Sequence, residues 1–182
     1  MSKNEKLILV CNALFTLANA MGAVFMNVFL YTYTESLPVM AMYTCIRIAM
    51  FPLFFTLAGK MARKLNYGIT LSIGLLFFAL QLFMVLNFHE CFGNNIYLVY
   101  FAAVLYGIGE SFYYLSVNTL NQLVSTPSTR STFLSVNGVL TNIANVFAPL
   151  AAAYIIDHSI NDVAGYMSIF KVVLVIFVLS SI

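Results

Sequence analysis

Two charged residues stand in surroundings where charge is expensive. Glu110 lies within "AAVLYGIGESFYYLSVNTL" (Ala102–Leu120) and Arg47 within "LPVMAMYTCIRIAMFPLFF" (Leu37–Phe55), both otherwise almost wholly apolar. A carboxylate and a guanidinium in such segments can neutralise each other, bind a charged ligand or pass a proton. Tyr106, Tyr113 and Tyr114 place hydroxyls near Glu110, and Asn12, Asn19, Asn27, Asn142 and Asn145 scatter amides through other apolar runs. Amides and hydroxyls orient ligands, but they equally hold helices together inside a membrane. The remaining residue types make no catalytic set. His89 and His158 fall in polar breaks, and no HExxH or GxSxG occurs. "GIGESF" lacks the third glycine of a dinucleotide fingerprint and sits within an apolar run. Cys11, Cys45 and Cys91 show no CxxC or Cys/His spacing, which argues against a disulfide framework or zinc. We expect no enzyme, no metal and no cofactor.

The elements that carry these residues follow from composition. The 182 residues are 62% hydrophobic and 8% charged. A soluble domain has about 25% charged and about 45–50% apolar residues, so this chain cannot build a water-exposed surface. It reads as an integral membrane protein in contact with a lipid bilayer. A net charge of +2 without a long basic run offers nothing to nucleic acid. Six runs reach the roughly 20 residues a spanning helix needs: Leu7–Tyr31, Leu37–Gly59, Tyr67–Phe88, Ile96–Leu120, Ser131–Ile156 and Val163–Ile182. Short polar breaks separate them, and the alternation of a β-barrel is missing. The expected fold is an all-α polytopic membrane helix bundle, one six-helix unit over residues 1–182. Lys3, Lys6 and Ala18-Asn19-Ala20 imitate a signal peptide, but the first run continues past that point to Tyr31, so we expect no cleavage.

Orientation comes from the basic residues. Lys3, Lys6, Lys60, Arg63, Lys64 and Arg130 fall before the first run or in the second and fourth breaks, whereas Glu35, Glu90, Asp157 and Asp162 fall in the others. Both termini are expected in the cytoplasm, with Cys91 outside. Helical periodicity then assigns faces. Asn12, Thr16, Asn19, Ala23 and Asn27 form a stripe on the first helix. Tyr106, Glu110, Tyr113, Tyr114 and Asn121 form one on the fourth, and Ser131, Ser135, Gly138, Asn142, Asn145 and Pro149 one on the fifth. The third and sixth runs are nearly bare of polar residues apart from Gln81 and Lys171; Lys171 is expected to snorkel or to pair with a carboxylate. The pattern fits a polar cavity lined by some helices and shielded from lipid by others. Arg47 and Glu110 differ in depth by roughly one helical turn, within bridging distance. Whether they form a lock or a ligand site is open from the sequence.

These residues resemble the major facilitator superfamily, over essentially the whole chain and specifically its N-terminal six-helix half. "LAGKMARKLNYG" is similar to the family's signature loop: Gly59 matches its first glycine and Lys64 stands at its arginine, while Arg63 stands where an aspartate is usual and Asn66 at the second glycine. Gly107-Ile108-Gly109 resembles the glycine pair of the fourth-helix motif, with Ala103 in place of its arginine; Arg130 resembles a basic residue of the fourth loop; and "GVLTNIANVFAPLAAAYIID" resembles the exporters' fifth helix, with Ala148-Pro149 and Ala151-Ala152-Ala153 in its pattern. The resemblance implies secondary transport of a small-molecule substrate, including efflux, across the cell membrane. With the intramembrane charges and polar stripes, we expect the substrate or ion pathway at Asn19, Arg47, Glu110, Tyr114 and Asn142, and the resemblance implies a conformational loop at Gly59, Lys60, Arg63 and Lys64. It also implies a second six-helix half, either a missing C-terminal half or another copy of the chain. The apolar end at Ile182 leads us to expect a truncated product. A non-transporting scaffold or assembly subunit is the alternative.

Overall fold

The computed structural model describes residues 2–87 and 95–181; His89, Glu90 and Cys91 lie outside that set. Among the described residues are six α-helices: α1 (Lys3–Thr34), α2 (Leu37–Leu65), α3 (Tyr67–Leu86), α4 (Ile96–Val124), α5 (Arg130–Asp157) and α6 (Asp162–Ser180). Each is long and apolar enough to cross a membrane. The all-α six-helix expectation holds, though most helices outrun their apolar stretch.

Local chemistry sets these ends. Ser2 and Glu5 form a capping box at the start of α1: Ser2 Oγ accepts the Glu5 N–H at 3.2 Å and Glu5 Oε2 accepts the Ser2 N–H at 2.6 Å. Glu5 Oε1 also accepts from Thr129 Oγ1 at 2.6 Å, tying the start of α1 to the α4–α5 connection. The end of α2 corrects one expectation. Gly59, Lys60, Arg63 and Lys64 are not a loop but the last two turns of α2. No helix breaker interrupts Lys60–Leu65, and basic residues are favourable at a helix C-terminus. The chain turns at Asn66, whose φ of 114° lies outside helical space and whose Oδ1 accepts the Gly68 N–H at 2.6 Å to cap α3. Residues 121–124 likewise belong to α4. Arg130 caps that helix from the next one: its guanidinium donates to the carbonyls of Gln122 at 3.1 Å and Ser125 at 3.3 Å.

α4 packs chiefly against α3 and α2, α1 against α5 and α6, and α3 against α6. α4 and α5 are consecutive yet barely touch; α1 lies against both. Phe15 stacks on Tyr113 at 3.5 Å between ring centroids, and Phe78 and Phe177 close the core from α3 and α6. α2 and α5 are the least buried helices: α2 buries Tyr43, Ala58 and Ala62, and α5 buries Phe133, Ala144, Ala148 and Ala152. The alanines at four-residue spacing let α5 approach α1 closely.

Glycines set the approach of α4 to both neighbours. A Cβ at Gly74 of α3 would stand 2.8 Å from the Tyr113 amide nitrogen. One at Gly107 would stand 2.6 Å from the Arg47 carbonyl oxygen. Gly107 therefore fixes how near the Arg47 backbone lies to the turn that carries Glu110.

Candidate functional site

Arg47 and Glu110 face each other across the α2–α4 contact, with Arg47 Nε 3.8 Å from Glu110 Oε2. Both side chains are largely but not fully buried, at 25% and 16% exposure. The separation is an ion pair without a direct hydrogen bond. Arg47 Nε is buried and has no acceptor among the described residues. The guanidinium carbon lies 4.8 Å from the centroid of the Tyr106 ring, in cation–π range. Tyr106 in turn donates its hydroxyl to Asn19 Oδ1 at 2.5 Å. Asn19 thus steadies the ring under Arg47. Ser111 Oγ lies within hydrogen-bond range of the carbonyls of Phe51, at 2.6 Å, and of Gly107, at 2.8 Å, clasping α4 to α2 beside the pair.

The pair opens onto a depression of about 280 Å³ bounded by Arg47, Ile48, Phe51, Glu110 and Tyr114. Tyr106, Glu110 and Tyr114 recur at four-residue spacing along α4 and so share a face. Phe51 meets Tyr114 edge-on at 6.2 Å. The helix of Arg47 contains Pro52, which has no N–H for the carbonyl of Ile48 four residues earlier. Charge of both signs and two aromatic rings are thereby collected around one opening.

A second polar group joins α1, α4 and α5. Asn12 Nδ2 donates to Asn137 Oδ1 at 3.0 Å and to Asn121 Oδ1 at 3.4 Å, while Asn12 Oδ1 accepts from the Tyr113 hydroxyl at 3.3 Å. Asn27 accepts from Thr44 of α2 at 3.4 Å. Three of the α1 stripe's amides are therefore committed to neighbouring helices, and that stripe acts largely as helix–helix adhesive. Beside the Asn12 group lies an open recess of about 580 Å³ bounded by Asn118, Asn121, Gln122, Arg130 and Leu134.

Of the residues singled out in the sequence, the structure brings together Asn19, Arg47, Glu110 and Tyr114. Asn142 is not among them. It is exposed on α5, as is Asn145. Two residues from buried Ala144, Asn142 is turned about 200° around the helix from the face that meets α1. The residue that does reach α1 is Asn137, which the expected stripe left out. Its signal was the row Asn137, Thr141, Ala144, Ala148 and Ala152, a small-residue face with two polar members. Phe51 stands one turn from Arg47 on the same helix face, so helical spacing places it around Arg47; Ile48 is apolar, and nothing in its type marked it. Lys171 is exposed on α6, apart from both groups.

The Major Facilitator Superfamily profile matches residues 7–182. The Bacillus subtilis (strain 168) protein called "Uncharacterized protein YqgE" is 31% identical over 179 residues, which are 98% of this chain and 41% of that protein. The Geobacillus stearothermophilus "Uncharacterized protein in sodM 3'region" is 31% identical over 174 residues, 93% of this chain and 78% of that protein. The chain thus spans less than half the length of the first relative and most of the second. Six membrane-length helices in this packing, with a family match from the first helix to the last, lead to one conclusion: the chain is a multi-pass membrane protein that belongs to the major facilitator superfamily of transporters.

Proposed function

We propose that the chain is the N-terminal six-helix half of a secondary transporter that carries a small molecule across the cell membrane, with both termini cytoplasmic. The carrying observation is the Arg47–Glu110 pair, which opens onto a depression instead of being sealed by hydrogen bonds. A structural lock is expected to satisfy its donors, because an unpaired buried donor costs about 1–3 kcal/mol. Arg47, Glu110 and Tyr114 line the pathway in this reading, and Asn19 positions Tyr106. The exposed faces of α2 and α5, the latter with Asn142 and Asn145, meet a second six-helix bundle, since transporters of this kind place the site at the interface of two halves.

The amide bonds from Asn12 and Asn27 favour a second reading, a non-transporting scaffold in which every polar residue is adhesive. Cysteine accessibility separates the two. In full-length protein whose native cysteines are replaced, single cysteines at Ile48 and Tyr114 should react with a membrane-impermeant thiol reagent. Cysteines at Leu80 and Val175, exposed on α3 and α6, should face lipid and stay unreacted. Unreactive Ile48→Cys and Tyr114→Cys would mean a dry interface and a scaffold.

A further inference from the structure

The Arg47–Glu110 depression also restricts the charge of what it can hold, an inference that rests on the transport reading above. The site is neutral as a pair, with the two charges 3.8 Å apart and one guanidinium donor unsatisfied. A ligand with a single charge would satisfy one partner and compete with the other for it, leaving a half-buried ion uncompensated. A ligand with both charges inserts between them, and each protein charge gains a counter-ion. Ile48 borders the depression, and its carbonyl lacks the helical N–H that Pro52 cannot supply, so it is a candidate second acceptor for an ammonium group. Phe51 and Tyr114 offer ring surface beside the charges. A volume of about 280 Å³ lies just below the range for drug-sized ligand sites, about 300–1,000 Å³, and so suits a small ligand.

We propose that this site takes a small zwitterion with an aromatic or apolar body, of the α-amino-acid class. Its carboxylate lies on Arg47, its ammonium between Glu110 and the Ile48 carbonyl, and its apolar part against Phe51 and Tyr114.

Three probes with the same phenyl ring and different charges test this: L-phenylalanine, 3-phenylpropionate and 2-phenylethylamine. Their binding is measured by calorimetric titration of purified full-length protein. L-Phenylalanine should bind at least about tenfold more tightly than either singly charged compound, the margin for leaving a buried ion unpaired. Glu110→Gln should abolish the preference over 3-phenylpropionate, and Arg47→Gln the preference over 2-phenylethylamine. This paired exchange of selectivity is a readout that mere misfolding cannot produce. Equal binding of a singly charged probe, absence of binding by all three, or a preference unchanged in both variants would overturn the proposal. The cysteine test then tells which idea fell. Reactive cysteines at Ile48 and Tyr114 with no zwitterion preference reject the substrate class and keep the pathway; unreactive cysteines reject the pathway as well.

Discussion

Replacing Gly107 by alanine should separate α2 from α4 and so tests the contact on which the site depends. The new Cβ would stand 2.6 Å from the Arg47 carbonyl oxygen and 2.6 Å from Met50 Cβ, whereas ordinary contacts begin near 3.4 Å. About 0.8 Å must be found by moving one helix off the other, because neither atom is the free end of a flexible side chain. Overpacking of this kind costs about 1–3 kcal/mol, and two clashes near the backbone place Gly107→Ala at the upper end. Alanine returns about 1 kcal/mol through its helix propensity, for a net loss of about 2 kcal/mol. Gly138 is the control: it is also helical, and a Cβ there would meet nothing within 4 Å. Gly138→Ala should therefore gain up to about 1 kcal/mol. At about 2–4 °C per kcal/mol for a chain of this size, Gly107→Ala should melt about 4–8 °C lower and Gly138→Ala about 2–4 °C higher. Thermal unfolding of the purified protein in detergent reads both. If Gly107→Ala melts with the wild type, or the control falls as far, the close α2–α4 approach is not what holds Arg47 beside Glu110.

Three further outcomes follow from the same structure, and a fourth from the charge asymmetry of the sequence. Asn12→Leu removes the common partner of Asn121, Asn137 and Tyr113 and should cost about 1–3 kcal/mol in the same unfolding assay. In the six-helix chain by itself, where Asn142 is on the exposed side of α5, Asn142→Leu should stay within about 0.5 kcal/mol. Glu5→Ala loses the capping box and the bond to Thr129, so amide hydrogen exchange should quicken at the start of α1 and around residues 125–130, at a cost of about 0.5–2 kcal/mol. Equal exchange in the variant would show that the Glu5–Thr129 bond does not hold the two segments together. Cys91 should be labelled by an impermeant thiol reagent in intact cells; labelling that requires an opened membrane would reverse the assigned orientation.

Much of the site was legible because depth along a spanning helix is a one-dimensional quantity. Arg47 and Glu110 could be matched by counting residues from the helix ends, and the structure sets them 3.8 Å apart. The fourth-helix face was legible too, since Tyr106, Glu110 and Tyr114 repeat at the helical period. The basic stretch after Gly59 was misread as a loop, because charge marks where a helix leaves the bilayer and not where it stops. The fifth helix carries polar or small residues on two faces; counting polar members marked the one with Asn142 and passed over the one with Asn137, which meets α1.

By itself, the sequence determined six membrane crossings, an all-α fold, and a carboxylate and a guanidinium at similar depth. Those are properties of local hydropathy and of chain length against bilayer thickness, and they need no neighbour to be defined. Tertiary structure decided how each helix is turned about its own axis. Backbone approach fixes that rotation: Ala144, Ala148 and Ala152 bring α5 onto α1 and carry Asn137 inward and Asn142 outward. Gly107 does the same for α4 against α2, leaving Arg47 and Glu110 at an opening shared with Phe51 and Tyr114. A hydroxyl or amide that looks free in the sequence becomes adhesive or ligand site according to which neighbour that rotation presents, and packing alone selects it.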